Sequence, residues 1–110
     1  MKTLYDPSSS KLLSFYDKIP SFVDGTDTPR AYLERCIETI EAKEPEVKAF
    51  VALSLDRART AADASTLRYK ENRILSPLDG MPFGMKDVFE TEDMPMQLGS
   101  PIFEGYETGW

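Results

Sequence analysis

The chain has 110 residues, a formal net charge of −6 and no histidine. This length suits one domain with a modest core and is too short for two. The missing histidine excludes a Ser-His-Asp triad and every histidine-ligated metal site within these residues, and nothing in the sequence implies a cofactor. The acidic balance argues against direct binding of nucleic acid, whose phosphates require clustered Lys and Arg.

The apolar stretches of the chain are short. The longest, residues 49–53, falls far below the roughly 20 residues that cross a bilayer. The first 18 residues carry charges and a proline where a secretory signal needs an unbroken apolar run. We therefore expect a cytoplasmic protein without a membrane partner.

The amino-terminal residues 1–27 are predicted to be an irregular arm with at most one short helix, because Pro7, Pro20 and Gly25 interrupt them. A helix is then predicted from Thr28 and Pro29, since the threonine hydroxyl can cap free N–H groups and proline is favoured at the first position. The arm has one short apolar cluster: Leu12, Leu13, Phe15 and Tyr16.

The predicted first helix carries one apolar stripe, formed by Leu33, Cys36, Ile37 and Ile40. Cys36 is the only cysteine, so no internal disulfide can form, and we expect an inert core thiol. Pro45 is predicted to end this helix at residue 43 or 44.

The rest of the chain predicts strand, helix, turn and strand. Residues 47–53 are rich in strand formers, and Ser54 is the expected cap of a helix from 55 to about 71. A turn at 77–80 precedes a strand at 82–89, in which Lys86 shares a face with Gly84 and Asp87 faces the other way. This alternation of helices and strands indicates an α/β fold.

Lys86 is the one base among seven acids in residues 76–110. A lysine in a strand is usually a solvated side chain or a guard at a sheet edge. However, PFGMKDVF is apolar on both sides of the lysine, as in a strand covered on both faces, where a charged amine is costly. A lysine amine becomes a general base when burial lowers its pKa from about 10.4 toward 7 or 8.

Residues 78–106, LDGMPFGMKDVFETEDMPMQLGSPIFEGY, resemble the core signature of the amidase family. In that family a strand of the form G-[IMV]-P-x-x-[IMV]-K-D precedes a turn and a Gly-Ser segment. The resemblance covers roughly residues 28–110, and GMPFGMKDV is its specific part. The positions that fit in order and spacing are Gly80, Met81, Pro82, Lys86, Asp87, Pro95, Gly99 and Ser100.

The resemblance implies an amide hydrolase that works through a lysine, a bridging serine in a cis peptide and a nucleophilic serine, with Lys86 as the base. It implies a mixed β-sheet flanked by helices, incomplete here, with 28–110 as the amino-terminal part of an amidase domain truncated before the nucleophile. Ser100 matches a position before the serine-rich region and is not assigned as nucleophile. The chain alone is therefore expected to be inactive.

The resemblance also implies a small-molecule carboxamide substrate, with Phe89, Met94 and Met96 lining its pocket, although ordinary packing is the commoner role of such residues. Two features depart from the common pattern. Many members have paired threonines at Met96 and Gln97, and many have asparagine at Val88. Substrate inference from other members is therefore unsafe.

Two alternatives to a simple amide hydrolase remain open. The chain could belong to an amidotransferase subunit that releases ammonia from glutamine with the same machinery, or be a small stand-alone α/β binding or regulatory module in which Lys86 is structural. A homo-oligomer is also left open. A piece of a larger sheet should expose apolar side chains. The candidates for exposure are Phe83, Met85, Val88, Phe89, Ile102 and Phe103.

Overall fold

The computed structural model describes residues 14–107, and the predictions for residues 1–13, including Leu12 and Leu13, lie outside them. The described part contains three α-helices and two 3-10 helices. The α-helices are α1 (Ile19–Asp24), α2 (Pro29–Val47) and α3 (Leu55–Lys70), and the 3-10 helices are Phe15–Lys18 and Pro101–Phe103. None of the helices between residues 14 and 107 is long and apolar enough to cross a membrane.

The short helix allowed for the arm is formed. It begins as the 3-10 helix after Ser14, whose hydroxyl accepts the N–H of Tyr16 at 3.2 Å, and continues into α1. Phe22 of α1 is buried, and its ring packs edge-on against Tyr69 of α3 at 5.5 Å between centroids. Gly25 ends α1 in the left-handed conformation, with a φ of 80°. Aromatic packing thus attaches the arm to the helical layer.

Helix α2 begins where the sequence predicts and ends later. The Thr28 hydroxyl accepts the N–H of Ala31 at 3.1 Å, and Pro29 occupies the first turn. The prediction that Pro45 ends the helix at residue 43 or 44 is wrong, because α2 continues through Pro45 to Val47. A proline so close to the end removes one N–H donor from the last turn, and Lys48 closes the helix in the left-handed region with a φ of 51°.

Helices α2 and α3 form the main packing unit. Their core consists of Leu33, Ile37 and Ala62, with Leu55 and Ala58 packed against it. Helix α3 starts after Ser54 as predicted, but the serine side chain makes no capping hydrogen bond, so that detail is wrong.

Both predicted strands are absent from the described residues. Val47 is the last residue of α2 and residues 48–54 are irregular; residues 81–86 are also irregular and 87–89 form a turn. The carbonyl of Lys86 accepts the N–H of Val88 at 2.7 Å and that of Phe89 at 3.2 Å, which bends the chain. A strand needs ladder hydrogen bonds to a neighbouring strand, and these two runs do not pair. The α/β sheet is therefore not confirmed, and residues 14–107 are helical and irregular.

Candidate functional site

The predicted turn at 77–80 is present and is fixed by the carboxylate of Asp79, whose side chain is only 2% exposed. Its Oδ1 accepts hydrogen bonds from the Ser65 hydroxyl at 2.7 Å and from Arg68 Nη2 at 2.6 Å. Its Oδ2 accepts from Arg68 Nε at 2.8 Å and from the backbone N–H of Leu75 at 3.1 Å. One carboxylate therefore joins the turn to two side chains spaced three residues apart on α3.

The electrostatics of this contact favour the charged carboxylate. Hydrogen bonds from the Arg68 guanidinium hold the pKa of Asp79 far below its usual range, with help from Ser65 and Leu75, although burial acts in the opposite direction. The Tyr69 hydroxyl donates to the backbone carbonyl of Asp79 at 3.0 Å. The turn is thus attached to α3 through both its side chain and its backbone.

Gly80 follows with a φ of 88°, a conformation that residues with a side chain rarely adopt. A Cβ at this position would lie 2.9 Å from Pro29 Cβ, from Pro29 Cγ and from Ser65 Oγ. The backbone therefore passes directly against the first turn of α2 and the middle of α3. This close approach sets the starting point of the segment that leads to Lys86.

Residues 80–85 and the two long helices enclose an apolar groove of about 650 Å³. Its lining includes Ile37, Ile40, Phe50, Leu53, Met85 and Met94. Cys36 also lines the groove and is half-buried, so this thiol is less enclosed than the core position that the sequence predicts. The groove is a concave apolar surface beside the Lys86 segment.

Lys86 itself is exposed and forms no ion pair with any residue between 14 and 107. The neighbouring Asp87 is half-buried, and its Oδ1 accepts the backbone N–H of Gln97 at 2.8 Å. The carboxylate next to the lysine is therefore engaged with another part of the chain. The amine of Lys86 is left accessible.

The segment that Asp87 contacts is a closed loop. The Gln97 side-chain Oε1 accepts the N–H of Gly105 at 2.6 Å, and the N–H of Met96 donates to the carbonyl of Tyr106 at 2.9 Å. These bonds join the two ends of residues 97–105. Because Gln97 contacts both Asp87 and Gly105, the Lys86 turn and this loop form one connected unit.

One of the three predicted pocket residues lines the groove. Met94 lines the apolar groove, whereas Phe89 and Met96 are not part of its lining. Phe89 is 56% exposed and Met96 is half-buried. The apolar exposure predicted for this half of the chain is present, because the six candidate side chains range from 39% exposed at Phe103 to 87% at Ile102.

Sequence reasoning missed the contact made by Asp79. Two signals were available. Asp79-Gly80 is a dipeptide that favours turns, and Ser65 and Arg68 lie three residues apart on one face of a predicted helix. That spacing offers a hydroxyl and a guanidinium to a single carboxylate.

The sequence of this region matches a known protein family. Residues 31–108 match the model of the family described as Amidase. The matched residues include the turn, the Lys86 segment and the loop. The chain belongs to the amidase family. Comparison with solved structures yields no significant match. The family assignment therefore depends on sequence, and the geometry of the turn, the Lys86 segment and the loop describes how this member arranges the matched residues.

Several relatives that this amidase-family chain resembles are named as the A subunit of glutamyl-tRNA(Gln) amidotransferase. The protein of Chloroflexus aggregans is 42% identical over 73 residues, which are 66% of this chain and 15% of that protein. That of Anaeromyxobacter sp. (strain K) is 42% identical over 74 residues, or 67% and 15%. That of Acidothermus cellulolyticus is 42% identical over 84 residues, or 76% and 16%. The chain thus spans about 15% of the length of these relatives.

Proposed function

We propose that this chain is part of an amide hydrolase that cleaves the carbon–nitrogen bond of a small-molecule carboxamide, with Lys86 as its general base. The observation that carries the proposal is the family match over residues 31–108, which includes the whole GMPFGMKDV block. Lys86 is also the only base in residues 76–110. Lys86 is exposed and forms no ion pair among residues 14–107, so in this proposal the burial that makes a lysine amine a base comes from the part of the protein that this chain does not cover.

In the proposed reaction, the neutral amine of Lys86 accepts a proton relayed through a bridging serine while a nucleophilic serine attacks the amide carbonyl. The proton is passed on to the nitrogen of the substrate, which leaves as ammonia or an amine while the acyl-enzyme forms. Water then hydrolyses the acyl-enzyme to the carboxylic acid and restores the serine. We place both serines in the part of the protein that this chain does not cover, because the chain spans about 15% of its relatives' length. The reaction needs no cofactor or metal ion.

The proposal also concerns the fold of the complete protein. Residues 47–53 and 82–89 carry apolar, strand-forming sequences. We propose that residues 47–53 and 82–86 become strands when the rest of a mixed sheet is present to pair with them, and that the turn at 87–89 ends the second strand. Residues 28–110 are then the amino-terminal part of the amidase domain, in the cytoplasm. Met94 is the best supported of the three pocket candidates, since it lines the apolar groove. Phe89 and Met96 would have to move toward the groove when the complete protein assembles.

A second candidate function is that of an amidotransferase. It is favoured by the relatives that bear the name of the glutamyl-tRNA(Gln) amidotransferase. In that case the carboxamide is that of glutamine, and a partner protein uses the released ammonia. The base, the acyl-enzyme and the role of Lys86 are the same in both candidates, so the substrate distinguishes them.

The test is ammonia release by the complete protein from a panel of small carboxamides and from glutamine. We expect release from at least one member of the panel, and a strong preference for glutamine would select the amidotransferase. The 110-residue chain alone should release none above background, because a base without its nucleophile and oxyanion hole retains little of the catalytic unit. An acyl-enzyme formed by the 110-residue chain with an activated ester would contradict the proposal.

A further inference from the structure

The two carboxylate oxygens of Asp87 have different surroundings. Oδ1 accepts the N–H of Gln97, whereas Oδ2 is buried and has no hydrogen-bond partner among residues 14–107. It is the one buried side-chain oxygen or nitrogen in the described residues with this property. Leaving a buried acceptor unpaired is unfavourable, and native proteins rarely do so without a reason.

The position of Asp87 makes this oxygen informative. Asp87 follows Lys86 directly, and its Oδ1 connects the Lys86 turn to Gln97 across ten residues of sequence. Gln97 in turn holds Gly105 through its side chain. A group that bonds to Oδ2 would therefore fix the Lys86 turn and the loop of residues 97–105 at the same time.

We infer that Asp87 is a positioning residue for Lys86: Oδ1 anchors the loop of residues 97–105, and the atoms that cover Oδ2 in this chain shift in the complete enzyme, so that Oδ2 accepts an N–H or O–H donor from outside residues 14–107. This inference rests on the proposed function only where it concerns catalysis. Its structural basis, one oxygen bonded to Gln97 and the other buried without a partner among residues 14–107, is independent of that function.

The choice of aspartate is explained by this arrangement. A carboxylate accepts hydrogen bonds at both oxygens, whereas the isosteric amide of asparagine accepts at one end and donates at the other. Asparagine can therefore satisfy Gln97 but must then direct an NH₂ group toward the second donor. Asp87→Asn separates the two roles of the side chain, and Asp87→Ala removes both.

The experiment compares Asp87→Asn and Asp87→Ala in the 110-residue chain and in the complete protein, with Glu92→Gln as a control that removes a nearby exposed charge. Amide hydrogen exchange is measured at Gln97 in the 110-residue chain and in the complete protein. If the 110-residue chain is too unstable to fold alone, the complete protein still provides the test. We expect Asp87→Ala to abolish the protection of the Gln97 amide and Asp87→Asn to retain it. Glu92→Gln should leave it unchanged.

In the complete protein, Asp87→Asn should lower kcat about tenfold or more while KM changes less than twofold, because the second hydrogen bond to the carboxylate is lost. Wild-type kcat in Asp87→Asn would overturn the role of Oδ2. Unchanged Gln97 exchange in Asp87→Ala would overturn the role of Oδ1.

The inference about Asp87 remains testable if the proposed function is wrong. If the complete wild-type protein hydrolyses no carboxamide, the thermal midpoint decides: Asp87→Asn should then lower Tm in the complete protein and not in the 110-residue chain. An unchanged Tm in the complete protein, or the same loss in both forms, would refute the second donor.

Discussion

Replacing Asp79 by alanine should destabilise the chain far more than removing an exposed carboxylate. The carboxylate receives four hydrogen bonds, from Ser65, from two nitrogens of Arg68 and from the backbone of Leu75. In Asp79→Ala these donors lose their acceptor together. The turn that starts the Lys86 segment then loses its side-chain attachment to α3.

The magnitude follows from the burial of each group. Removing one partner of a buried ion pair costs about 3–5 kcal/mol. The side chain of Arg68 is 24% exposed and can recover part of its hydration, whereas Ser65 is 1% exposed and cannot. We therefore expect a loss near the lower end of that range, about 3 kcal/mol of unfolding free energy.

The assay is urea denaturation of the 110-residue chain followed by circular dichroism at the helix signal. Asp93→Ala is the matched control, because among residues 14–107 the one ion pair of Asp93 is with Arg57 at 3.9 Å, and a solvent-accessible pair of this kind contributes about 0–1 kcal/mol. If Asp79→Ala and Asp93→Ala shift the unfolding free energy equally, the hydrogen-bond reasoning is wrong.

Three further predictions concern the same region. Gly80→Ala should destabilise the chain by about 2 kcal/mol or more through φ strain and the 2.9 Å contacts, whereas Gly99→Ala, with a φ of 65° and no atom within 4 Å, should cost about 1 kcal/mol; equal losses would contradict the close approach. Because the folded-state pKa of Asp79 is lowered, its contribution is complete above the unfolded value of about 3.9 and is lost as the pH falls toward the folded value. The difference in unfolding free energy between wild type and Asp79→Asn should therefore shrink from pH 4 to pH 2, and a constant difference would refute this. Finally, the 110-residue chain should bind an apolar dye more strongly than the complete protein does, since Phe83 is 73% exposed; equal weak binding would contradict the expected covering.

The helices were the predictable part of this fold because their signals are local. The cap at Thr28, Pro29 at the first position and the apolar spacing of Leu33 and Ile37 all act within a few residues. The misplaced end of α2 shows the limit of a local rule. Proline excludes a helix interior more strongly than its last turn, and Pro45 lies within three residues of the end.

The strands could not be settled from the same sequence. Residues 82–89 have the alternation of a strand, but a strand forms only with a partner, and the described residues supply none to this segment. Lys86 was found because the block around it matches a family pattern. The bond from Asp87 to Gln97 joins residues ten positions apart without a periodic signal, so only the structure shows it.

The central claim is that Lys86 supplies the general base of an amidase, and one measurement tests it most directly. The complete protein is assayed for carboxamide hydrolysis as wild type, as Lys86→Ala, and as Lys70→Ala, an exposed lysine at the end of α3. General base catalysis accelerates a reaction about 10²–10⁴-fold, so kcat should fall by at least a hundredfold in Lys86→Ala and stay unchanged in Lys70→Ala. All three proteins should be equally folded. Wild-type turnover by a folded Lys86→Ala protein would contradict the account.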